Sequence, residues 1–366
     1  EMMSGYTTSG ATILTDIEST AQSVLFWRST THWLGGIGII VIFVAVLPFY
    51  ASAGRRLYQS EIPGVTAEGL TPRIKQTALL LLKIYVALSL IECVLLMMGG
   101  MNLFDALCHT FGTMATGGFS TKNASILHFR APQYHGLFIE IVIIVFMFLA
   151  GCNFTLHYFF VRGKWLAHLK DVEFRAYTVT LVIASLIIIF LVWLVEAEPS
   201  PGESVFTTVS IMTTTGFCTA NFDTWPDVAR ALLVMMMFVG GCGGSTGGGI
   251  KVIRFVVLFR SLFATVERIH SPHTVRQVKL AGRVFDEGLQ FTVLNYFFAI
   301  MVIAGLATLV LTLLEPQLGL VSAFTAVAAT LNNIGPGLAK VGAIENFAFL
   351  HASSKWLLSL CMVIGR

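Results

Sequence analysis

Four glycine-bearing polar tracts recur along this 366-residue chain, roughly every 100–120 residues, and each carries residues able to surround a cation with oxygen atoms. The tracts are residues 6–12, 115–121, 213–219 and 331–337, and their aligned glycines are Gly10, Gly118, Gly216 and Gly335. Backbone carbonyls of an extended tract can replace the hydration shell of K+. Glycine lets the chain approach an axis closely and adopt dihedral angles that a Cβ forbids. A single tract is equally compatible with an ordinary turn between helices, but four in phase favour one filter segment per repeat.

The predicted K+ filter takes three residues from each tract. These residues are Thr8, Ser9, Gly10, Thr116, Gly117, Gly118, Thr215, Gly216, Phe217, Asn333, Ile334 and Gly335. Non-helical backbone at membrane depth is tolerated only where it is buried in protein or lines water, and a four-fold pore meets that condition. We expect the hydroxyls of Thr8, Thr116 and Thr214 to satisfy backbone groups beside the filter.

A further glycine-rich segment, residues 240–249, contains seven glycines in ten residues. Each glycine costs about 1 kcal/mol relative to alanine in a helix, so the segment predicts a break in a spanning helix. Such a run could instead cradle phosphate, but a Walker A loop needs GxxxxGK[ST] between a strand and a helix. Here Ile250 separates Gly249 from Lys251, no Ser or Thr follows, and both flanks are apolar helices. We therefore predict an obstruction just inside the filter and no nucleotide site.

Two cations flank this region. Lys251 follows the glycines directly, and Arg366 lies in the predicted inner helix of the fourth repeat. A charge at membrane depth costs roughly 2.5–3.5 kcal/mol and usually marks function. Pairing of Arg366 with a neighbouring helix remains the alternative. The predicted gate residues are Gly243, Gly244, Ser245, Thr246, Gly247, Gly248, Gly249, Lys251 and Arg366.

Long apolar runs must position these tracts. A spanning helix needs about 20 mostly apolar residues. Candidate spans are residues 23–49, 74–98, 134–160, 174–195 and 288–314, with 227–263 interrupted by glycines and 351–366 beginning one more. Shorter runs, residues 103–114, 203–212 and 320–331, precede three of the tracts and are typical of re-entrant helices. The pattern predicts an all-α polytopic membrane protein, with four pseudo-repeated membrane–pore–membrane units around a central pore, as in K+ channels.

The predicted repeats are residues 1–56, which hold only a filter and an inner helix, 57–165, 166–283 with the glycine-rich segment, and 284–366 with a truncated inner helix. The chain starts abruptly, without the n-region or h-region of a signal peptide, and stops inside an apolar helix. We therefore expect both ends to be cuts in a longer protein.

The composition places the chain in a bilayer. Only 12% of residues are charged and 55% are hydrophobic, with a mean hydropathy of +0.79, whereas soluble domains are about 25% charged. The net charge of +3 gives no reason to expect a nucleic-acid partner. By the positive-inside rule, the loops rich in Lys and Arg are cytoplasmic and the glycine tracts open outward. These basic residues are Arg55, Arg56, Arg73, Lys75, Arg162, Lys164, Lys170, Arg175, Arg254, Arg260, Arg268, Arg276, Lys279 and Arg283.

Several polar residues fall inside or beside the apolar runs. Glu92, Glu140, Asn153 and His157 are expected to make helix–helix hydrogen bonds more than to line the pore. Asp16 and Glu18 either attract cations to the outer vestibule or are simply solvated. The six cysteines lack metal-ligand spacing and are expected to be buried thiols.

The tract sequences resemble a known family. TTSGAT at 7–12, MATGGFST at 114–121, TTTGFCT at 213–219 and NNIGPG at 332–337 are similar to the four filter segments of the Trk/Ktr/HKT superfamily of potassium transporters. Residues 240–251 resemble its intramembrane gating loop. The resemblance runs the length of the chain and is closer to the bacterial TrkH branch than to KtrB. Relative to that branch, N-terminal helices, the first outer helix and the C-terminal end are missing. Position 10 holds a glycine and not a serine, which points away from the Na+-preferring HKT proteins.

The resemblance implies K+ uptake across a bacterial inner membrane, with K+ as the transported ion and no organic cofactor. It also implies that Arg366 projects into the pore, and that a lipid-embedded homodimer binds a cytosolic nucleotide-binding subunit of the TrkA type. A Na+-permeable or Na+/H+-coupled K+ carrier of the same superfamily is the alternative. A membrane enzyme is disfavoured because no nucleophile–base or metal-ligand spacing occurs. An inverted-repeat carrier is disfavoured because every glycine tract falls on one side.

Overall fold

The computed structural model describes residues 1–46, 74–195, 200–270, 279–280, 283–284 and 287–366. This part of the chain is helical, as predicted, apart from one short antiparallel strand pair. The helices are α1 Met2–Tyr6, α2 Gln22–Val46, α3 Ile74–Met98, α4 Leu103–Met114, α5 Gly136–Ala150, α6 Phe154–Val161, α7 Leu166–Lys170, α8 Val172–Trp193, α9 Pro201–Met212, α10 Asp227–Met237, α11 Val252–His270, α12 Glu287–Leu314, α13 Leu320–Leu331 and α14 Ala352–Gly365. The strands are β1 Lys279–Leu280 and β2 Arg283–Val284.

Four short helices lead into the four glycine tracts. Helices α4, α9 and α13 each have 12 residues, and α1, with five residues, precedes the first tract. The predicted bounds of α4 and α13 are confirmed, whereas α9 begins two residues before the predicted run, at Pro201. Proline is favoured in a first helical turn because its missing N–H needs no partner there. The α4 start is fixed by Asn102, whose side chain accepts a hydrogen bond of 2.8 Å from the Asp105 N–H.

Within the described residues, three helices are long and apolar enough to cross a membrane, and a bent pair would add a fourth. The three spans are Ala78–Met98, Val172–Trp193 and Gln290–Leu314. Exposed apolar side chains such as Val182, Leu186 and Phe190 cover α8, which suits a lipid-facing surface. The predicted span 23–49 corresponds to α2 up to Val46, and its last three residues lie outside the described part.

The predicted span 134–160 contains a sharp bend. The chain forms α5 and α6, which meet at an angle of 102° around Gly151, Cys152 and Asn153. The Asn153 side chain accepts a bond of 2.8 Å from the Thr155 N–H, so it starts a new helix instead of continuing the old one. Apolar periodicity alone could not reveal this bend, because the break spans only three residues.

The buried polar residues have mixed outcomes. Glu140 pairs with Arg130, which also reaches Glu203 at the start of α9, so Glu140 links helices as expected. His157 binds the Leu149 carbonyl at 2.9 Å across the α5–α6 bend. Glu92 is fully buried in α3, and in the described part of the chain neither of its carboxyl oxygens has a hydrogen-bond partner, so the expected helix–helix bond is absent there.

The predicted repeat boundaries stay a prediction. The first, at residues 56 and 57, and the basic residues Arg55, Arg56, Arg73 and Arg276 lie outside the described residues. The third falls inside β2, between Arg283 and Val284, where Lys279 pairs with Val284 and Leu280 with Arg283. The larger apolar core is built from residues of α3 to α11, and a smaller one joins α12, α13 and α14 to Ala11 and Ile250.

Candidate functional site

Each glycine tract begins with the same backbone motif. The residue two places before the aligned glycine has a left-handed conformation: Thr8 has φ 51°, Thr116 φ 54°, Thr214 φ 60° and Asn333 φ 55°. The next N–H then donates to the carbonyl five residues earlier, over 2.9 Å from Ser9, 2.8 Å from Gly117, 2.9 Å from Thr215 and 2.8 Å from Ile334. Left-handed threonine is rare because its branched Cβ crowds the backbone, so three such residues at one position indicate a functional constraint.

The aligned glycines also share one conformation. Their φ values are 76° for Gly10, 76° for Gly118, 80° for Gly216 and 100° for Gly335. An L side chain in this region is strained, because its Cβ approaches a backbone carbonyl oxygen.

The glycines interlock in a closed ring. A Cβ on Gly10 would overlap the Gly117 carbonyl oxygen, one on Gly118 the Thr215 oxygen, and one on Gly216 the Ile334 oxygen. A Cβ on Gly335 would lie 2.8 Å from the Ser9 oxygen, which returns to the first tract. The contacts therefore run from tract 1 to 2, 3, 4 and back to 1. All four glycines line one cavity of about 120 Å³.

Oxygen atoms without donors concentrate in this ring. In the described part of the chain, the carbonyl oxygens of Ser9, Gly117, Thr215 and Ile334 accept no hydrogen bond, although these residues are buried. Below them, Thr8 Oγ1 and Asn333 Oδ1 are also buried without a partner. Unpaired buried oxygens are costly unless something else satisfies them, and a desolvated cation does so. Among the described residues, no group of three or more His, Cys, Asp or Glu is placed to hold a metal ion.

Eleven of the twelve predicted filter residues occupy the repeated motif, and one is out of register. Thr214 has the left-handed conformation that Thr8, Thr116 and Asn333 have, so it belongs to the ring. Phe217 follows the glycine, its ring is buried, and its carbonyl accepts a bond of 2.7 Å from Ser210 Oγ. The hydroxyl of Thr116 binds the Ala115 carbonyl at 2.6 Å, and that of Thr8 has no partner.

Side chains of the short helices support the outward limb of each tract. His109 Nδ1 donates to the Asp105 carbonyl at 2.7 Å, so its Nε2 accepts from Ser120 Oγ at 2.9 Å. Thr325 Oγ1 accepts from the Leu338 N–H at 3.0 Å. In the first repeat, Glu1 accepts from Thr12 Oγ1 at 3.0 Å. The tract sequences do not indicate these contacts, because each contact joins residues that are 11 to 13 positions apart.

Sequence reasoning also missed Arg28 and His32 on α2. Arg28 is 2% exposed, pairs with Glu1 at 2.5 Å and donates to the Ser120 carbonyl at 2.8 Å. Its guanidinium carbon lies 3.6 Å from the centre of the Phe119 ring, on which His32 stacks at 3.9 Å. A Cβ on Gly117 would meet the His32 ring at 2.5 Å. This group therefore packs directly behind the second tract.

The loops beyond the filter form an outer rim. The first and second are joined by Asn123 Nδ2 and Asp16 Oδ1 at 3.0 Å. The second and third are joined by the Ile126 N–H and the Cys218 carbonyl at 3.2 Å. The third and fourth loops are joined by the Ala339 N–H, which donates to Asp223 Oδ1 at 2.8 Å. The fourth and first are joined by the Phe347 N–H, which donates to the Thr12 carbonyl at 2.8 Å. The rim therefore repeats the cyclic order of the filter.

Two acids of this rim have shifted pKa values. Hydrogen bonds from Asn123 and Ser19 lower the pKa of Asp16. Burial raises the pKa of Asp223 above its usual value, although the Ala339 N–H and Arg230 oppose the shift.

The glycine-rich segment is non-helical, as predicted, and fills the gap between α10 and α11. It packs into the α5–α6 bend. The Cys242 N–H donates to the Gly151 carbonyl at 2.8 Å, and the Thr246 N–H donates to the Ala150 carbonyl at 3.3 Å. In return, the Gly244 carbonyl accepts from the Phe154 N–H at 3.1 Å. Each helix break thus satisfies backbone groups that the other leaves open.

Thr246 and Arg366 bring all four repeats together beneath the filter. Thr246 Oγ1 lies 3.0 Å from the Met114 carbonyl and 3.2 Å from the Ala150 carbonyl. Its own carbonyl accepts from Arg366 Nη1 at 2.7 Å, while Arg366 Nη2 donates to the Gly35 carbonyl at 3.3 Å. The guanidinium therefore connects predicted repeats 1 and 3, which face each other across the ring.

The segment also contacts the filter directly. The Gly248 N–H donates to Thr214 Oγ1 at 2.6 Å, and a Cβ on Gly248 would lie 2.6 Å from the Asn332 carbonyl. Lys251 Nζ donates to the Gly247 carbonyl. The structure thus brings the predicted gate residues together below the predicted filter.

Comparisons with known proteins agree with this arrangement. The TrkH family, described as "Cation transport protein", matches residues 1–366. The Trk system potassium uptake protein TrkH of Escherichia coli K12 is 38% identical over 374 residues, which cover 100% of this chain and 75% of that protein. The Halomonas elongata TrkH is 39% identical over 373 residues, with the same coverage.

The crystal structure of the potassium transporter TrkH from Vibrio parahaemolyticus matches with a TM-score of 0.85 at 36% identity. The match covers 99% of this chain and 74% of that one. This likeness confirms the predicted helical membrane fold, and the chain belongs to the TrkH family of cation transport proteins.

Proposed function

We propose that this protein takes up K+ through a pore formed by the four glycine tracts and closed on its inner side by residues 240–249. The closed ring of unpaired carbonyl oxygens carries the proposal. In the described part of the chain these four carbonyl oxygens accept no hydrogen bond, so they can replace the hydration shell of a K+ ion.

The absence of side chains at the four aligned glycines supports the proposed selectivity of the ring. At Gly10, Gly118, Gly216 and Gly335 a side chain would collide with the next carbonyl, so the oxygens can lie close to a common axis. The unpartnered Thr8 Oγ1 and Asn333 Oδ1 offer two more oxygens on the inner side. In this proposal these atoms form a second layer that a cation meets before it reaches the gate.

The inner contacts support the gate. A guanidinium between the Thr246 and Gly35 carbonyls holds the loop across the pathway, and its charge opposes a resting cation. In this proposal the pore opens when the loop leaves the α5–α6 bend and Arg366 loses Thr246.

The cellular setting follows from the relatives. Their names refer to a Trk system, which implies more than one component. We propose that this chain works as a homodimer in the lipid of a bacterial inner membrane and binds a cytosolic nucleotide-binding subunit of the TrkA type. The basic residues Arg162, Lys164 and Lys170 near α7 would lie on the docking side. If the co-expressed subunit neither co-purifies nor changes the flux, this part is wrong.

The central test is cation flux in proteoliposomes containing the purified protein. We expect K+ entry above that of protein-free vesicles and a preference for K+ over Na+. Equal rates for K+ and Na+ would remove the K+ filter and favour a Na+-permeable carrier. Dependence of K+ entry on a Na+ or H+ gradient would favour a coupled carrier.

A further inference from the structure

Glu173 is a buried carboxylate that neither the filter nor Arg366 explains. It is the second residue of α8 and only 9% exposed. Its Oε1 accepts two backbone hydrogen bonds, 2.8 Å from the Gly243 N–H and 3.1 Å from the Ile253 N–H. One of these groups lies in the glycine-rich segment and the other in the first turn of α11. A single side chain therefore ties the segment to the start of α11.

Both N–H groups need an acceptor. The first N–H groups of a helix have no partner within it. Glu173 supplies an acceptor oxygen from a different helix, whereas a cap normally comes from the residue before the helix. The contact therefore fixes the start of α11 and the segment together.

Glu173 connects the glycine-rich segment to the end of α8 that is predicted to be cytoplasmic. It lies at the end of α8 that follows α7 and Asp171, beside the basic loop predicted to be cytoplasmic. No residue of α7 is buried, so this surface is open to a partner. Any displacement of this end of α8 must stretch the bonds to Gly243 and Ile253.

We propose that Glu173 is the positioning residue that latches the glycine-rich segment in its closed place and couples it to the cytoplasmic end of α8. The coupling to ion flow rests on the proposed function of that segment as a gate. The latch itself does not, because it concerns only where the segment sits.

The test combines two measurements on the full purified protein. Glu173→Ala removes the acceptor, whereas Glu173→Gln keeps an oxygen in the same place. The first measurement is the rate of alkylation of Cys242, which is 1% exposed and lies next to Gly243. Peptide mass spectrometry reads all six cysteines at once, and each of them is buried. Cys152 lies in the bend into which the segment packs, so the remaining four cysteines report global unfolding. The second measurement is K+ flux into proteoliposomes.

We expect Glu173→Ala to raise the alkylation rate of Cys242 at least about fivefold, because the segment opens locally more often. The K+ flux should rise in parallel, and Glu173→Gln should restore both values to within about twofold of wild type. Glu140→Ala is the matched control, since it also removes a buried, paired carboxylate, but near the start of α5, whereas Cys242 contacts Gly151 just after the end of that helix. It should leave the Cys242 rate unchanged.

Each other outcome has a definite meaning. An unchanged Cys242 rate in folded Glu173→Ala overturns the latch. If all six cysteines react faster, the Glu173→Ala variant has unfolded, and the test is repeated with Glu173→Asp. The shorter aspartate side chain cannot reach both N–H groups. A wild-type Cys242 rate in Glu173→Asp also overturns the latch. Faster Cys242 labelling with unchanged flux keeps the latch and overturns the gate. Absence of K+ flux in every variant overturns the proposed function, while the alkylation result still stands.

Discussion

The outer and inner halves of the pore follow opposite principles. On the outer side, the same left-handed residue, the same five-residue hydrogen bond and the same glycine occur four times, and the tracts close into a ring. On the inner side, the described parts of the repeats differ: one bends at Gly151, one unwinds over residues 240–249, and one carries Arg366. A cation needs similar oxygens on all sides, so symmetry suits the filter. A gate needs one element that moves against the others, so asymmetry suits the inner half.

The two halves also differ in their backbone strain and in their glycine content. Left-handed conformations cost roughly 1–2 kcal/mol each, and the filter holds four in residues other than glycine. Contacts such as His109 with Ser120 fix that strain in place. The inner segment has little strain but many glycines, whose freedom is limited by hydrogen bonds worth about 1 kcal/mol each. Strain therefore accompanies fixed geometry, and glycine content accompanies movement.

The filter should give the largest effect. Gly216→Ser places a Cβ on the Ile334 carbonyl at a φ of 80°, so the ring must distort. We expect the K+/Na+ permeability ratio to fall about tenfold, which corresponds to roughly 1.4 kcal/mol of lost discrimination. Serine at Gly10, Gly118 or Gly335 should act in the same direction. Reversal potentials under K+/Na+ gradients measure the ratio.

A matched control lies in the helix that leads to Gly216. Gly202 in the first turn of α9 has open space at its Cβ, so Gly202→Ser should leave the selectivity unchanged. Wild-type selectivity in all four filter variants would end the filter assignment.

The inner half should respond with rate and not with selectivity. Arg366→Ala removes the contacts to the Thr246 and Gly35 carbonyls as well as the charge, and deletion within residues 243–248 removes the obstruction. We expect the K+ flux at matched protein density to rise about fivefold to tenfold, or roughly 1–1.4 kcal/mol, while the K+/Na+ ratio stays within twofold. Arg366→Lys keeps the charge but not the two-point contact and should fall between. Variants that insert normally and conduct no faster than wild type would show that the segment does not close the pore.

The same contrast explains how much the sequence could predict. The repeated backbone motif was predictable because its constraint is local: a glycine and a short helix recur in all four tracts, and a threonine stands two residues before the glycine in three of them. Its role as a K+ filter stays a prediction. Phe217 was included and Thr214 omitted from the filter, because letters do not show which residue takes the left-handed conformation. The gate segment was recognisable from its glycines, and Arg366 from its charge at membrane depth.

Long-range contacts were not predictable. Glu173 looks like any acid in a first helical turn, and its partners are 70 and 80 residues away. Arg28 and His32 have no motif, and they acquire a role only when α2 packs behind the second tract. The α5–α6 bend was missed because its apolar flanks continue the helical pattern. Tertiary partners decide each of these cases, and a single sequence does not contain them.

A smaller effect should appear where the two halves touch. Thr214→Ala removes the acceptor of the buried Gly248 N–H, and an unsatisfied buried donor costs roughly 1–3 kcal/mol in the closed state. We expect a flux increase of about threefold, while Thr214→Ser should remain at wild type. Thr116→Ala is the matched control, because Thr116 occupies the same position in repeat 2 but binds only its own preceding carbonyl. Equal fluxes in Thr214→Ala and Thr116→Ala would mean that this contact does not hold the gate.

The smallest effect should come from the rim, at Asp223. Burial raises its pKa above the ordinary value of 3.8, so the folded protein takes up this proton more readily than the unfolded chain. The stability that follows is complete below the unfolded pKa and is lost as the pH rises through the folded pKa. Asp223→Asn keeps an oxygen for the Ala339 N–H without a charge and should raise the unfolding temperature by about 1–2 °C at pH 7, with no gain near pH 4. Asp223→Ala leaves that N–H unpaired and should lower it at both pH values. Thermal unfolding in detergent at the two pH values separates these cases. A lower unfolding temperature for Asp223→Asn at pH 7 would mean that the rim needs the charge of the half-buried Asp223 itself, and then the outer half, like the inner one with Arg366, would depend on an ionised side chain.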